Sequence, residues 1–396
     1  MSDPTKSAAQ PAAAAVAPPG QTPPPSASPY SYSATYTLDL MADVAGGRST
    51  GSGVSDLLKL SASWDGSQAG HDGLTALVSL EHSFGSGFTS ARVGGFQSTT
   101  NTQALPGSTR LYEAWVQRDF NSGKAGLKIG LIDLNTTFDV QETAALFLNA
   151  SHGIGPDISD TGLNGPSIYP ATALAADLFW RPNDDWTAQL GVFDGTAGDP
   201  VHRSAFVAAK LDGALVIGQV ERRWGDRARA EVGVWTYTKR FASLDQTAPG
   251  GGPEKVGGDG GIYGLVEGQI RPAAAGSGAG LNGWLRVGVA NSDINPVSSY
   301  LGGGLVWTGL IKGRDQDAIG VAVARAEFGR GARALGASQH RRIGGAETNL
   351  EATWRLAVNT WLSVQPDAQC VLRPYGDAQL PNALVATLRF VVAWGK

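Results

Sequence analysis

The sequence predicts an all-β fold, a transmembrane antiparallel β-barrel of sixteen strands with one loop folded into its lumen. Three observations carry that expectation. Segments of about ten residues alternate apolar and polar from Thr35 to Val392, as strands do when one face meets lipid and the other meets water. The connections between them alternate in length, short then long, a parity that suits the turns and external loops of outer-membrane barrels and has no cause in a soluble sandwich or propeller. Glycine makes up 54 of 396 residues, about twice the usual share, while no stretch approaches the roughly 20 consecutive apolar residues of a spanning helix.

The runs fall at about 34–43, 55–64, 73–82, 108–119, 124–133, 171–180, 185–194, 214–223, 229–238, 260–270, 281–290, 300–310, 317–326, 346–356, 360–370 and 383–393. In the first, Thr37, Asp39, Met41 and Asp43 share one face, and Tyr36, Leu38, Leu40 and Ala42 the other. Glu267, Gln269 and Arg271 alternate with Val266 and Ile270, and Asn282, Trp284 and Arg286 with Leu285 and Val287. Near the end, Glu347, Asn349, Glu351, Thr353 and Arg355 oppose Thr348, Leu350, Ala352, Trp354 and Leu356. So many polar groups on one side would be costly in a dry core and are reasonable against a water-filled lumen. The second, fourth, sixth and eighth connections are short (DGSQAGHD, NSGK, RPNDD, WGDRA), which puts both termini in the periplasm. Trp64, Trp180, Trp186, Trp361 and Trp394 close runs and suit aromatic girdles at the two membrane interfaces.

Nearly forty residues, 134–170, separate the fifth and sixth runs, and loops of that length are usually functional. A sixteen-stranded barrel is too wide to select among small solutes, so this segment is expected to fold inward as a constriction, the alternative being an external loop packed on its neighbours. Apolar residues at helical spacing in VQETAALFLN predict a short helix over Val140–Asn149.

Composition excludes several classes of function. A net charge of −4 without basic clusters argues against nucleic acid. The lone Cys370 forms neither an internal disulfide nor a cysteine zinc site, and the histidines at 71, 82, 152, 202 and 340 have no spacing of metal ligands or of a catalytic triad. No phosphate-cradling motif appears, so neither a cofactor nor a reaction is expected. A soluble sugar-binding β-protein would have to bury the inward charges or expose the outward leucines and valines. Residues 1–33, rich in Ala and Pro, are expected to be a disordered periplasmic segment, and 34–396 the barrel. That segment does not read as a secretory signal, so the export signal is expected upstream of it or already removed.

GLIDLNTTFD (Gly130–Asp139), FLNAS (Phe147–Ser151), PSIYP (Pro166–Pro170) and GVFDG (Gly191–Gly195), in that order, resemble the carbohydrate-selective porins of the OprB family, over most of the chain from Tyr32 to Trp394. The family pattern departs at the end, where Gly395 and Lys396 follow the aromatic Trp394. The resemblance implies an outer-membrane channel for small sugars such as glucose, in contact with outer-membrane lipid and compatible with either a monomer or a trimer. A general diffusion porin without sugar preference is the alternative, and an outer-membrane enzyme a more distant one. A sugar path needs donors, acceptors and aromatic faces that bind weakly enough to release. The inward lists supply Arg286, Arg355 and Arg389 as donors, Asp39, Glu113, Glu267 and Glu351 as acceptors, and Trp115, Trp235 and Trp284 as stacking surfaces. From the loop come Asp133, Asn135, Asn149 and Ser151, expected at the narrowest point opposite wall arginines. Each inward arginine has two roles open to it, contact with the solute or a wall ion pair that stiffens the barrel.

Overall fold

A computed structural model describes residues 28–103, 108–198, 211–249, 251–271, 280–339 and 342–395. Its strands are β1 (Tyr30–Ala45), β2 (Gly51–Asp65), β3 (Leu74–Gly85), β4 (Ser108–Phe120), β5 (Ala125–Ile132), β6 (Ala173–Trp180), β7 (Trp186–Asp194), β8 (Ala214–Arg223) and β9 (Ala228–Tyr237), then β10 (Phe241–Thr247), β11 (Pro253–Val256), β12 (Gly260–Arg271), β13 (Gly280–Ala290), β14 (Val297–Thr308), β15 (Ala318–Phe328), β16 (Ala346–Ala357), β17 (Leu362–Leu372) and β18 (Ala383–Gly395). Sixteen of them close one antiparallel barrel in simple meander order, β9 pairing with β12 across a separate hairpin of β10 and β11. Every expected run lies on one of these sixteen strands. Closure comes from β1 on β18, with Asp39 opposite Arg389 and Ser33 opposite Gly395. The β10–β11 hairpin, which alternation did not reveal, lies against α2 (Arg330–Ser338).

The faces follow the period of two. Thr37, Asp39, Met41 and Asp43 are buried toward the lumen, while Leu40, Val78, Ile129, Leu190, Val232, Leu285 and Val321 are exposed on the outside as an apolar belt. Strand β1 starts at Tyr30, four residues before the expected boundary, because Tyr30 and Tyr32 continue the outward aromatic alternation and pair with Trp64 and Ala62 of β2. The rest of the proposed N-terminal segment, 1–27, lies outside the described residues.

Trp64, Trp180, Trp186, Trp361 and Trp394 all stand at one rim, the one that holds the short turns and the two ends of the barrel chain, rather than being shared between two rims. The opposite rim carries the long connections. Of these, the segment after β5 turns inward: Phe138, Leu148 and Ile158 are buried, and Phe138 and Ile158 pack on Ile217, Trp235 and Tyr263 of the inner wall. The helix expected over 140–149 does not form. That stretch is irregular, with 3-10 turns at Thr143–Leu146 and Ala150–His152, and the helical turn, α1 (Pro156–Ser159), comes later. The cause is competition for the backbone amides, which wall carboxylates capture before they can bond four residues back along the chain.

Candidate functional site

Two wall glutamates grip the inward loop by its main chain. The Glu267 carboxylate accepts the amides of Glu142 (3.0 Å) and Thr143 (2.6 Å), and Glu351 accepts those of Leu148 (2.5 Å) and Asn149 (3.1 Å). Buried amide-to-carboxyl hydrogen bonds contribute about 0.5–1.5 kcal/mol each, more where the acceptor is ionised. Arg229 binds the Val140 carbonyl and is itself surrounded by Glu221 (2.6 Å), Glu231 (3.0 Å) and Glu267 (2.7 Å). Gln365 donates to the Leu146 carbonyl at 2.7 Å. Deeper along the loop, Arg286 holds Asp139 at 2.8 Å and also binds Asp157. Burial lowers the His152 pKa to about 3, so its 3.5 Å approach to Glu351 is a contact of a neutral ring, not an ion pair at neutral pH.

A second segment, between β3 and β4, also enters the lumen. Glu347 accepts the amides of Phe96 (2.7 Å) and Gln97 (2.8 Å), and Gln369 donates to the Thr99 carbonyl (2.7 Å). Asp39 accepts the hydroxyls of Thr100 (2.5 Å) and Thr102 (2.7 Å) while Arg389 clasps it at 2.6 and 2.8 Å. The two inward segments meet where the Ala150 amide donates to the Ser98 carbonyl at 3.0 Å. Alternation is silent here, since QSTTNT has no apolar face; its run of small hydroxyl and amide side chains was the one available signal.

Between the large inward side chains Trp284, Arg286, Tyr300 and Val306, the inner face of β13 to β15 is mostly glycine and alanine, which leaves room for the loop. Gly288, Gly302, Gly304, Gly320, Ala322, Ala324 and Ala326 share that face by register, and a Cβ on Gly320 would fall 2.7 Å from the Phe147 ring. Strands β2 to β5, by contrast, keep partly exposed polar groups and an indole on their inner face: Lys59, Ser61, Trp115, Gln117 and Lys128. Lys59 lies 3.5 Å from Glu81 and 3.6 Å from Glu113, and its ammonium is 5.0 Å from the Tyr112 ring centre. Lys128 stands over Trp115 at 4.9 Å and reaches Thr137 of the loop at 3.5 Å. The loop presents Asn135, Thr136 and Thr137 as partly exposed residues, and its Glu142 pairs with Arg223 at 2.7 Å, both side chains more than 40% exposed.

The model of the carbohydrate-selective porin family OprB matches residues 50–393. The chain belongs to this family. Porin B of Pseudomonas aeruginosa is 21% identical over 328 residues, covering 75% of this chain and 71% of that one. The high-pH structure of Pseudomonas putida OprB superposes with a TM-score of 0.84 at 18% identity, over 93% of this chain and 94% of the other. The outer membrane channel DcaP of Acinetobacter baumannii shares the fold more loosely, with a TM-score of 0.55 and 9% identity over 92% and 97% of the two chains. This protein is therefore a sugar porin of the outer membrane, of a family of channels.

Most residues expected to line the path are buried in contacts with the two inward segments. Asn149 and Ser151 are buried within the loop, Arg286, Glu267, Trp284 and Glu351 are buried on the wall against it, and Arg389 and Asp39 hold the other segment. Trp284 packs with Phe147 and Leu146, and Trp235 with the buried cluster around Phe138. The loop polar groups do not face wall arginines as expected. Asp133 is 6% exposed, accepts the Tyr112 hydroxyl at 2.5 Å and caps the Asn135 amide at 2.8 Å, and Asn149 meets Glu351 and Gln369. Asn135 turns its amide back on the Phe138 and Asp139 carbonyls. Glu113 accepts from Trp115 at 3.2 Å, and these two remain beside the partly open sector. Arg355 is apart, half-buried near Ser363 and Val391 toward the tryptophan rim. Sequence reasoning did not single out Lys59, Lys128, Arg229, Asp139, Asp157 and Glu347, which the structure brings into these contacts. Lys59 and Lys128 were legible as inward positions of β2 and β5, and Glu347 was already on an inward face; the partners of the others need the three-dimensional pairing.

Proposed function

We propose that monosaccharide-sized sugars such as glucose cross this porin through the sector between the inward loop and strands β2 to β5, moving passively to the periplasm. The supporting observation is the asymmetry of the lumen. One side is closed by loop backbone fastened to buried carboxylates, and the other keeps Lys59, Trp115, Gln117 and Lys128 partly exposed opposite Asn135, Thr136 and Thr137. An indole suits the C–H face of a pyranose, and ammonium, carboxamide and hydroxyl groups suit its hydroxyls. Each such bond exchanged with water is worth about 1 kcal/mol, which favours admission without trapping. Lys59 lies between Glu81 and Glu113, so its positive charge is held by carboxylates rather than left open to attract anions. In this reading the tryptophan rim and both termini are periplasmic, and the outward belt of leucine and valine contacts lipid.

Osmotic swelling of liposomes containing the purified protein tests this directly. Glucose is expected to enter faster than a disaccharide and faster than an amino acid of matched size. Equal rates for the sugar and the matched amino acid would return the protein to a general diffusion role.

A further inference from the structure

Arg286, in the middle of β13, is the largest fully buried side chain among the described residues. Its Nε and Nη2 donate to the two Asp139 oxygens at 3.1 and 2.8 Å, and its Nη1 donates to Asp157. Asp139 and Asp157 bracket the inner part of the loop, so one wall side chain closes both ends of the segment between them. The guanidinium also lies 5.3 Å from the Tyr263 ring centre and 5.4 Å from that of Tyr300. Both tyrosines are tied to the loop as well: Tyr300 donates to the Ser151 carbonyl at 2.8 Å, and Tyr263 donates to Gln219, which accepts the Asp139 amide at 3.0 Å.

Two further features are fitted to this contact. A Cβ on Gly155 would fall 2.3 Å from Arg286 Nη1, and one on Gly288 would fall 2.1 Å from the Asp157 carboxylate, so both positions must stay bare for the clasp to close. Asp139 has φ 52°, a left-handed backbone uncommon outside glycine, and its side chain is fixed in place by the two guanidinium bonds. A fork with several fixed donors can hold two carboxylates at once, which an ammonium point charge cannot reproduce.

We propose that Arg286 is a positioning residue that sets the bore of this channel by clasping both ends of the inward loop, without touching the sugar. This rests on the reading that the loop bounds the path. The experiment compares four full-length proteins with the wild type: R286Q, G288A, a variant with residues 139–157 replaced by a glycine linker so that both clasped aspartates are removed, and that linker variant carrying R286Q. Each is measured for heat-modifiability, protease cleavage of the loop, single-channel conductance and block of the ion current by glucose. R286Q is expected to speed loop cleavage about a hundredfold, the scale for losing one partner of a buried pair, and to raise conductance while weakening glucose block. G288A, which removes no charge, is expected to shift the same readouts in the same direction, and it keeps the test alive if R286Q does not fold. In the linker variant R286Q is expected to change nothing further. If replacing the loop itself left conductance and block unaltered, the proposed path would be wrong. If loop replacement altered them while G288A and R286Q did not, the path would stand and the clasp would fall. A further loss of glucose block from R286Q in the linker variant would make Arg286 a sugar contact and overturn the positioning role.

Discussion

Replacing Glu351 by alanine separates docking of the inward loop from the integrity of the wall. Glu267 is less suitable for this, since its removal would also strip a partner from the buried Arg229. Glu351 contacts the Asp367 carboxyl but forms no ion pair with an arginine among the described residues; it accepts the Leu148 amide at 2.5 Å and the Asn149 amide at 3.1 Å, where both residues are at most 1% exposed. Truncation leaves two buried N–H groups without an acceptor, at about 1–3 kcal/mol each. It also relieves the burial of a carboxylate, which offsets part of that loss, so the lower end, about 2 kcal/mol, is the expected net cost of docking. That corresponds to a fall of roughly 30-fold in the ratio of docked to undocked loop. Single-channel recording in planar bilayers is the assay, with limited proteolysis of residues 134–170 alongside. Larger or flickering conductance, faster loop cleavage and an unchanged heat-modifiable barrel are expected. Wild-type conductance together with wild-type cleavage would refute the claim that main-chain capture by this carboxylate holds the loop.

Three other outcomes follow from the same geometry. Glu347→Ala should release the segment around Phe96 and Gln97, raising conductance while cleavage within 134–170 stays slow; simultaneous release of both segments would show that they are one unit. Leu285→Arg on the outward belt should cost about 2–4 kcal/mol of barrel stability in lipid, read by denaturant titration of folding into vesicles, whereas a neutral effect would contradict its outward placement. Burial raises the Asp133 pKa to about 6, with the Glu113 charge adding to the rise, and burial raises that of Asp139 to about 6 against the opposing pull of Arg286. Both exceed the ordinary carboxyl value, so docking takes up protons, and its stability is fullest in acid and declines as pH climbs through about 6. Lowering pH from about 7.5 to about 5 should therefore slow loop cleavage and quiet current fluctuations, and a loop that loosens over that interval would disprove the assignment.

Much of the wall was legible because lipid and water impose opposite chemistry on successive residues. Leu40 beside Asp39, or Leu350 between Asn349 and Glu351, already tells which way each side chain points. The start of β1 was less visible, since Tyr30 to Ser33 continue a Ser- and Pro-rich tract and differ from it only in their aromatic period. The contents of the lumen were harder still. VQETAALFLN has honest helical propensity, but its amides bond to Glu267 and Glu351, more than a hundred residues away, and local sequence has no record of that competition. The inward arginines posed the same difficulty: nothing in the neighbourhood of Arg286 announces that its partners are Asp139 and Asp157. The family-like motifs around Gly130–Asp139 and Phe147–Ser151 fall at the end of β5 and on the docked loop itself.

On the proposed path, the glycine and alanine positions on the inner face of β14 and β15 would make the width of this channel adjustable from behind. A path wall is ordinarily tuned by changing the residues that solutes meet. Here the loop is a wedge between a passage and a socket, and the depth of the socket decides how far the wedge protrudes. Enlarging Gly320, whose added carbon would meet Phe147 and Leu146, would push the loop toward Lys59 and Trp115 and narrow the passage while every solute-facing group stayed chemically the same. If solutes follow the proposed path, size limit and chemical preference would be set by different strands of one barrel and could be altered independently.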